Sequence, residues 1–97
     1  MSRIILAPEV RDDLERIFDS LFEHASESAA DRIEAILQAI DVLQSSPLIG
    51  RPAAHGQREL VISTGASGYL ALYRFVPQRD TVYVLAVRSQ RERVYKR

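Results

Sequence analysis

Five cations cluster at the carboxyl-terminal end of the sequence, directly after an apolar run at residues 82–87 that is typical of a β-strand. They are Arg88, Arg91, Arg93, Lys96 and Arg97. A guanidinium group presents several N–H donors in a planar fork that matches the oxygens of a phosphate or a carboxylate. The cluster therefore predicts a site for an anion, either a phosphate backbone or the acidic surface of a protein partner.

Two further arginines, Arg58 and Arg74, lie on segments that are predicted to be strands of the same sheet. Neighbouring strands are about 4.8 Å apart, so Arg58, Arg74, Arg88 and Arg91 can converge on one region despite their separation in sequence. Such a set can stabilise the charge that develops on a phosphate during its transfer. Alternatively, the arginines solubilise an open sheet face or pair with acidic residues of the helices.

Acid–base catalysis also needs proton carriers, and the sequence supplies few of them. Arginine keeps its proton at physiological pH, and Lys96 is the single lysine of the chain. Tyr73, Tyr83 and Tyr95 remain as candidates, of which Tyr95 is the best placed because it lies beside the terminal cations. The sequence therefore offers electrostatic contacts more readily than an acid–base pair.

Composition indicates a small cytosolic protein with one domain over residues 1–97. No apolar run approaches the roughly 20 residues that cross a bilayer, so we expect no membrane association. The chain has no cysteine, and its two histidines, His24 and His55, are predicted to lie on the surface. We therefore predict no metal site and no cofactor.

Charge is segregated along the chain, although the formal net charge is zero. Residues 1–47 carry four arginines and ten acidic residues, whereas residues 48–97 carry nine basic and three acidic residues. Among the acids, Glu9, Asp12 and Asp13 suit the first turns of a helix because they oppose its dipole. An acidic helical half and a basic sheet half are expected.

The first half of the sequence predicts two amphipathic helices that form an antiparallel hairpin. Pro8 suits the first turn of the first helix. Ser26 or Ser28 can cap the second helix, which should end near Ser45 because Pro47 disfavours helical geometry in the residue before it. The predicted apolar faces are Val10, Leu14, Ile17, Phe18, Leu21 and Phe22, followed by Ala29, Ile33, Ile36, Leu37, Ile40 and Leu43.

The remaining segments predict a β-sheet. Residues 2–6 can form an edge strand, and residues 47–57 are predicted to be a loop in which Arg51 could pair with a helix acid. The other predicted strands are about 58–64, 69–76 and 81–88, with turns at 65–68 and 77–80. The order β-α-α-β-β-β is an α+β fold, with an N-terminal strand and an antiparallel helical hairpin packed on a mainly antiparallel β-sheet.

In these segments the sequence resembles the RelE/ParE superfamily of toxins from type II toxin–antitoxin systems, most closely the ParE-like toxins. The resemblance covers nearly the whole chain and rests on the order and spacing of several short motifs. These are Ala7-Pro8-Glu9, Asp13-Leu14-x-x-Ile17, Ile40-x-x-Leu43-x-x-x-Pro47-x-x-Gly50-Arg51-Pro52, Arg58-Glu59-Leu60, Tyr69-Leu70-Ala71-Leu72-Tyr73-Arg74 and Val84 to Glu92. The chain departs from the pattern at Ser89, where a histidine is common, and at Arg93, where a glycine or alanine is common.

The resemblance implies a toxin that binds DNA gyrase and is neutralised by a cognate antitoxin, whose segment covers apolar grooves of the helical hairpin and reaches the basic side of the sheet. The implied partner-binding residues are Arg58, Arg74, Arg88, Arg91, Arg93, Lys96 and Arg97. The last four of these, Arg91, Arg93, Lys96 and Arg97, are expected to be exposed.

Two alternatives remain open. A RelE-like toxin would cleave mRNA on the ribosome, and its candidate catalytic residues would be Arg58, Arg74, Arg88, Arg91 and Tyr95. Ser89 counts against this alternative because it replaces the histidine. A degenerate member of the superfamily would be non-toxic and would retain only antitoxin binding.

Overall fold

The computed structural model of the chain describes residues 1–24, 28–64 and 67–97. Its five-stranded sheet has the order β1-β5-β4-β3-β2, in which β1 is parallel to β5 and the other pairs are antiparallel. The elements are β1 (Arg3–Leu6), α1 (Pro8–His24), α2 (Ala29–Asp41), β2 (Arg51–Pro52), β3 (Arg58–Thr64), β4 (Ser67–Val76) and β5 (Thr81–Ser89). The predicted α+β fold is confirmed.

The two helices begin and end close to the predicted residues. Pro8 is the first residue of α1, and the Ser28 hydroxyl caps α2 by accepting a hydrogen bond from the backbone N–H of Asp31 at 3.4 Å. Ser26, the other candidate cap, lies outside the described residues. After α2, a 3₁₀ turn at Val42–Gln44 tightens the last turn, so the helical path ends next to Ser45 as predicted.

The segment at residues 47–57 is more structured than the predicted loop. Arg51 and Pro52 pair with β3 as the two-residue edge strand β2, and Ala54–Gly56 form a 3₁₀ turn. A strand of two residues is too short to show a periodic apolar pattern, which is why β2 was not predicted. Its proline is tolerated because β2 is an edge strand, where the missing N–H has no strand partner. The predicted order therefore lacked one strand.

Of the two predicted turns between the later strands, the one at 77–80 lies wholly within the described residues. Residues 65 and 66 of the predicted turn at 65–68 lie outside the described residues. The predicted turn at 77–80 is present as a 3₁₀ turn at Pro77–Arg79, followed by Asp80 with φ of 47°. The side chain of Asp80 accepts a hydrogen bond from the Ser2 hydroxyl at 2.6 Å, which ties the start of β1 to this turn.

A bulge interrupts the pairing of β4 with β5. Leu72 lies opposite Ala86 and Tyr73 lies opposite Val84, so Leu85 has no partner residue on β4. A bulge changes which backbone groups of a strand point toward each neighbour. On the other side of β5, pairing with β1 ends where Leu6 meets Val84, so the rest of that edge needs other hydrogen-bond partners.

The helices pack against one face of the sheet, which we call the inner face. Its core comprises Val10, Ile17, Ile36, Ile40, Leu43, Leu60, Ile62, Tyr69, Ala71, Tyr73, Val82, Val84 and Val87. Three residues of the predicted apolar helix faces are exposed: Leu37, Phe18 and, at 76%, Phe22. No helix in the described ranges is long and apolar enough to cross a membrane.

Neighbouring residues of α2 give a stability test of this packing. Ile36 is fully buried, so Ile36→Ala should lower the free energy of unfolding by roughly 2–5 kcal/mol through lost burial and the cavity that remains. Leu37→Ala, its matched control, should cost about 1 kcal/mol or less because Leu37 is 36% exposed. Urea unfolding measures both values, and equal losses would contradict this assignment of the buried face.

Candidate functional site

Arg58 and Tyr73 fix the segment that connects the helices to the sheet. The buried Tyr73 hydroxyl donates a hydrogen bond to the carbonyl of Pro47 at 2.7 Å and accepts one from the N–H of Gly50 at 2.9 Å. The Arg58 guanidinium donates to the carbonyls of Leu48, at 3.2 Å, and Gly50, at 2.7 Å. Gly50 is required here, because a Cβ atom would lie 2.6 Å from the Tyr73 ring. Arg58 therefore has a structural role in this arrangement.

Arg74 and Arg51 hold the next part of the same connection. Arg74 is exposed and donates to the carbonyl of His55 at 2.8 Å. The predicted pairing of Arg51 with a helix acid is wrong, because its guanidinium pairs with the carboxylate of Glu59 on β3 at 2.6 Å. Glu59 lies directly opposite Arg51 across the β2–β3 ladder, which makes it the nearer partner.

Of the four arginines that were predicted to converge, the three that lie in strands are divided between the two faces of the sheet. Arg58 belongs to the same side of β3 as the buried residues Leu60 and Ile62, so it is on the inner face. Arg88 lies opposite Leu70 of β4, on the outer face. Arg74 shares the outer face with Leu70 but is four residues, or about 13 Å, further along β4. The prediction of one arginine cluster is therefore wrong.

Arg88, Tyr95 and Glu59 form a connected group on the outer face. The Arg88 guanidinium carbon lies 5.0 Å from the centre of the Tyr95 ring, and the Tyr95 hydroxyl donates to a carboxylate oxygen of Glu59 at 2.6 Å. Burial raises the pKa of Tyr95, and the hydrogen bond to Glu59 raises this pKa further. A phenol that keeps its proton so strongly and already donates it to a carboxylate is poorly suited to act as a general base.

The other titratable groups do not complete an acid–base pair on this face. Burial opposes ionisation of Glu59, but hydrogen bonds from Tyr95 and Arg51 outweigh it and lower the pKa of Glu59. His24 is at the end of α1 and His55 is in the connecting segment, both exposed. Within the described residues, no group of three or more histidine, aspartate or glutamate side chains is arranged to hold a metal ion.

Side chains satisfy the free edge of β5. The carboxylate of Asp13, which is 1% exposed, accepts the backbone N–H of Val87 at 3.0 Å. Arg16 donates to the Val87 carbonyl at 3.3 Å, and Arg97 donates to the Leu85 carbonyl. Helix α1 and the tail, which we define as residues 90–97, thus complete the hydrogen bonding that β1 leaves open.

The same carboxylate forms ion pairs with both arginines. Asp13 accepts from Arg16 at 2.9 Å and from Arg97 at 3.0 and 3.1 Å. Burial by itself would raise the pKa of Asp13, but the hydrogen bonds from Arg97, Val87 and Arg16 outweigh burial and lower this pKa. Arg16 also pairs with both carboxylate oxygens of Glu92, at 2.9 and 3.0 Å, which attaches the start of the tail to α1.

These contacts divide the predicted tail cations into two groups. Arg97 is exposed, as expected, but its guanidinium pairs with buried Asp13, so it is not a free cation. The side chains of Arg91, Arg93 and Lys96 are exposed and have no hydrogen bond or ion pair within the described part of the chain. No local sequence pattern indicates the Asp13–Arg97 pair, because its residues are 84 positions apart.

An apolar groove of about 720 Å³ lies along the helical hairpin beside the end of β1. Apolar side chains that line it include Leu6, Leu14, Phe18, Ile33 and Leu37. Arg11, Glu15 and Asp19 supply charged groups to its lining. Beyond the groove, the exposed ring of Phe22 stacks on Phe18 at 6.2 Å between centroids. The partial exposure of Phe18 and Leu37 is thus explained by one continuous feature.

The chain matches, over residues 4–94, the protein family described as the ParE toxin of the type II toxin–antitoxin system parDE. It is 37% identical over 94 residues to Toxin RelE3 of Caulobacter vibrioides, covering 96% of this chain and 99% of that protein. Both comparisons extend over nearly the whole chain.

Two solved structures share its architecture. The chromosomal ParDE system from P. aeruginosa is 22% identical over 92% of this chain and 94% of that one, with a TM-score of 0.73. The intact RelBE toxin–antitoxin complex from E. coli is 13% identical over 90% and 94%, with a TM-score of 0.62. These likenesses confirm the predicted RelE/ParE-like fold.

Replacement of Asp13 tests its role in stability. Asp13→Asn should lower the free energy of unfolding by roughly 2–3 kcal/mol, because two arginines lose their anionic partner while both remain partly exposed. Asp12→Asn, an exposed neighbour on α1, should change it by about 0.5 kcal/mol or less. Equal effects of the two substitutions in urea unfolding would show that the Asp13 contacts add nothing.

The lowered pKa of Asp13 also predicts a pH dependence. Its contribution is fully present above the unfolded-state pKa, near 3.8, and is lost as the pH falls through the lower pKa of the folded state. The stability difference between the wild type and Asp13→Asn should therefore be constant above about pH 5 and shrink at lower pH. Urea unfolding from pH 7 down to about pH 2 measures this difference. A difference that does not shrink in acid would contradict the prediction.

Proposed function

Since the chain belongs to the ParE toxin family of type II toxin–antitoxin systems, we propose that it inhibits DNA gyrase by binding it and that a cognate antitoxin neutralises it. Such a toxin acts in the cytoplasm, where gyrase and chromosomal DNA meet. Inhibition by binding requires a complementary surface and no catalytic residues of the toxin's own.

The observation that carries this proposal is that the residues which catalysis would need are already engaged in contacts within the domain. Tyr95, the best candidate proton carrier, has a raised pKa and donates its proton to Glu59. Arg58 and Arg74 are bonded to backbone carbonyls of the connecting segment. Arg88 lies against Tyr95. These contacts favour a binding surface over a catalytic site.

The tail supplies the surface that we assign to gyrase. Arg93 and Lys96 are exposed cations without partners in the described part of the chain, and Val94 between them is 64% exposed. Exposed cations beside an apolar side chain combine electrostatic steering with apolar contact. Arg97 anchors this segment to α1 through Asp13 and thereby reduces the conformational freedom that binding would otherwise remove.

The antitoxin is assigned to the apolar groove of the helical hairpin. The groove is mostly apolar, and it has acids and an arginine in its lining, as expected for a surface that receives an amphipathic helix. Acidic residues of the same antitoxin would then reach the basic half of the toxin. An uncovered groove of this kind would make the isolated toxin less soluble than its complex.

A RelE-like activity is the second candidate. It is favoured by the name of the relative Toxin RelE3 and by the presence of both Arg74 and Arg88 on the outer face. In that case the arginines would bind the phosphate of ribosome-bound mRNA, and one of the titratable side chains would have to carry protons. A non-toxic protein that retains only antitoxin binding is the remaining outcome of the tests below.

Two assays on the purified protein separate these functions. We expect inhibition of gyrase supercoiling with accumulation of cleaved DNA, and no cleavage of mRNA on programmed ribosomes. Cleavage of mRNA without any effect on gyrase would overturn the proposal in favour of the RelE-like activity. Inactivity in both assays, together with harmless expression in cells, would identify a protein that only binds antitoxin.

Paired charge substitutions test the gyrase surface. Arg93→Ala with Lys96→Ala should weaken gyrase inhibition about tenfold, because both free cations of the contact are lost. Arg3→Ala with Arg79→Ala is the matched control, since it removes the same charge from exposed positions of β1 and of the turn before β5. Urea unfolding confirms that both variants are folded. Equal inhibition by the two variants would show that the tail is not the contact.

A further inference from the structure

A small pocket lies on the inner side of the sheet, where the last turns of α1 approach the start of β4 and the end of β5. Its volume is about 90 Å³, which is room for a few water molecules or one small polar group. Ile17 and Leu21 of α1 form apolar walls. Its polar lining includes Ser20, Tyr69, Ser89 and Arg91. The pocket is separate from the apolar groove and from the outer face.

Tyr69 contributes a hydroxyl that the fold itself does not use. The residue is 3% exposed, and its side chain has no hydrogen bond within the described residues. Among the side chains that the structure describes, Arg88 Nε is the one polar atom that is both fully buried and without a partner. The Tyr69 hydroxyl also lacks a partner, so it is not fully buried and must reach solvent-accessible space. Because Tyr69 lines the pocket, a donor on a rigid and otherwise buried side chain is available there.

The other polar groups are also arranged to donate. The Arg91 side chain has no partner in the described part of the chain. The Ser89 oxygen accepts the backbone N–H of Arg91 at 3.2 Å, which leaves the Ser89 hydroxyl proton free to be donated. Glu92 is the one anion of the lining, and its two oxygens are held by Arg16. Arg91 is therefore a positive charge that the pocket does not neutralise.

The size and charge of the pocket favour one small monoanion. A carboxylate has two oxygens that can accept from Arg91, Tyr69 and Ser89 together. A nucleic-acid backbone brings a series of closely spaced phosphates. Glu92, the anion of the lining, would repel such a series.

We propose that this pocket binds the carboxylate of an aspartate or glutamate side chain of the antitoxin, with Tyr69, Ser89 and Arg91 as its hydrogen-bond donors. The assignment of this carboxylate to the antitoxin rests on the proposed function, whereas the preference of the pocket for a carboxylate does not. Arg91 would then bind the antitoxin, whereas Arg93 and Lys96 belong to the gyrase surface.

Acetate tests the pocket without the antitoxin. In two-dimensional ¹H–¹⁵N NMR at constant ionic strength, acetate should cause saturable shifts of the Ser89 and Arg91 signals in the free toxin. The shifts should be weaker in Tyr69→Phe and absent in Arg91→Gln. The absence of saturable shifts, or the same shifts in both variants, would overturn the site. Tighter binding of inorganic phosphate than of acetate would overturn the carboxylate assignment.

The antitoxin arm uses Tyr69→Phe, which removes one oxygen and keeps the buried ring. We expect this variant to bind the antitoxin encoded beside it about tenfold more weakly, as for a lost hydrogen bond to a charged group, and to inhibit gyrase like the wild type. Unchanged antitoxin affinity would overturn the antitoxin as the source of the carboxylate. Failure of the wild type to inhibit gyrase would instead count against the proposed function, since the acetate titration is independent of it.

Discussion

The buried carboxylate of Asp13 is the acceptor on which the edge of β5, helix α1 and the tail all depend. It takes the N–H of Val87 on an edge that β1 leaves unpaired, and it binds Arg16 and Arg97 from two different segments. A charge in that position is stable only because all three donors reach it. The bulge at Leu85 is part of the same arrangement, since the Leu85 carbonyl accepts from Arg97.

This constraint explains why a tail with so many cations has a defined course. Glu92 is held by Arg16, Tyr95 by Glu59 and Arg97 by Asp13, so three contacts to α1 and β3 fix residues 92–97 against the domain. The cations that these contacts do not use are the ones available to partners. Position in sequence does not distinguish the two groups, because the engaged Arg97 directly follows the free Lys96.

The sequence predicted the elements well and the site only partly. Helical spacing and the signals at Pro8 and Ser28 are local, so the bounds of α1 and α2 followed from them. The division of the arginines depended on strand register, which places Arg58 and Arg88 on opposite faces and which no local pattern encodes. The unused hydroxyl of Tyr69 was likewise hidden, because an apolar strand pattern does not reveal which polar atom lacks a partner.

We propose that the positive charge of this toxin serves binding to gyrase. A direct measurement is the affinity of the purified toxin for gyrase as the salt concentration rises from about 50 to about 200 mM. If free cations of the tail form the contact, the affinity should fall steeply with salt, and the fall should be much smaller when Arg93 and Lys96 are replaced. A salt-independent affinity, or no binding at any salt concentration, would contradict the proposal that the free cations of the tail bind gyrase.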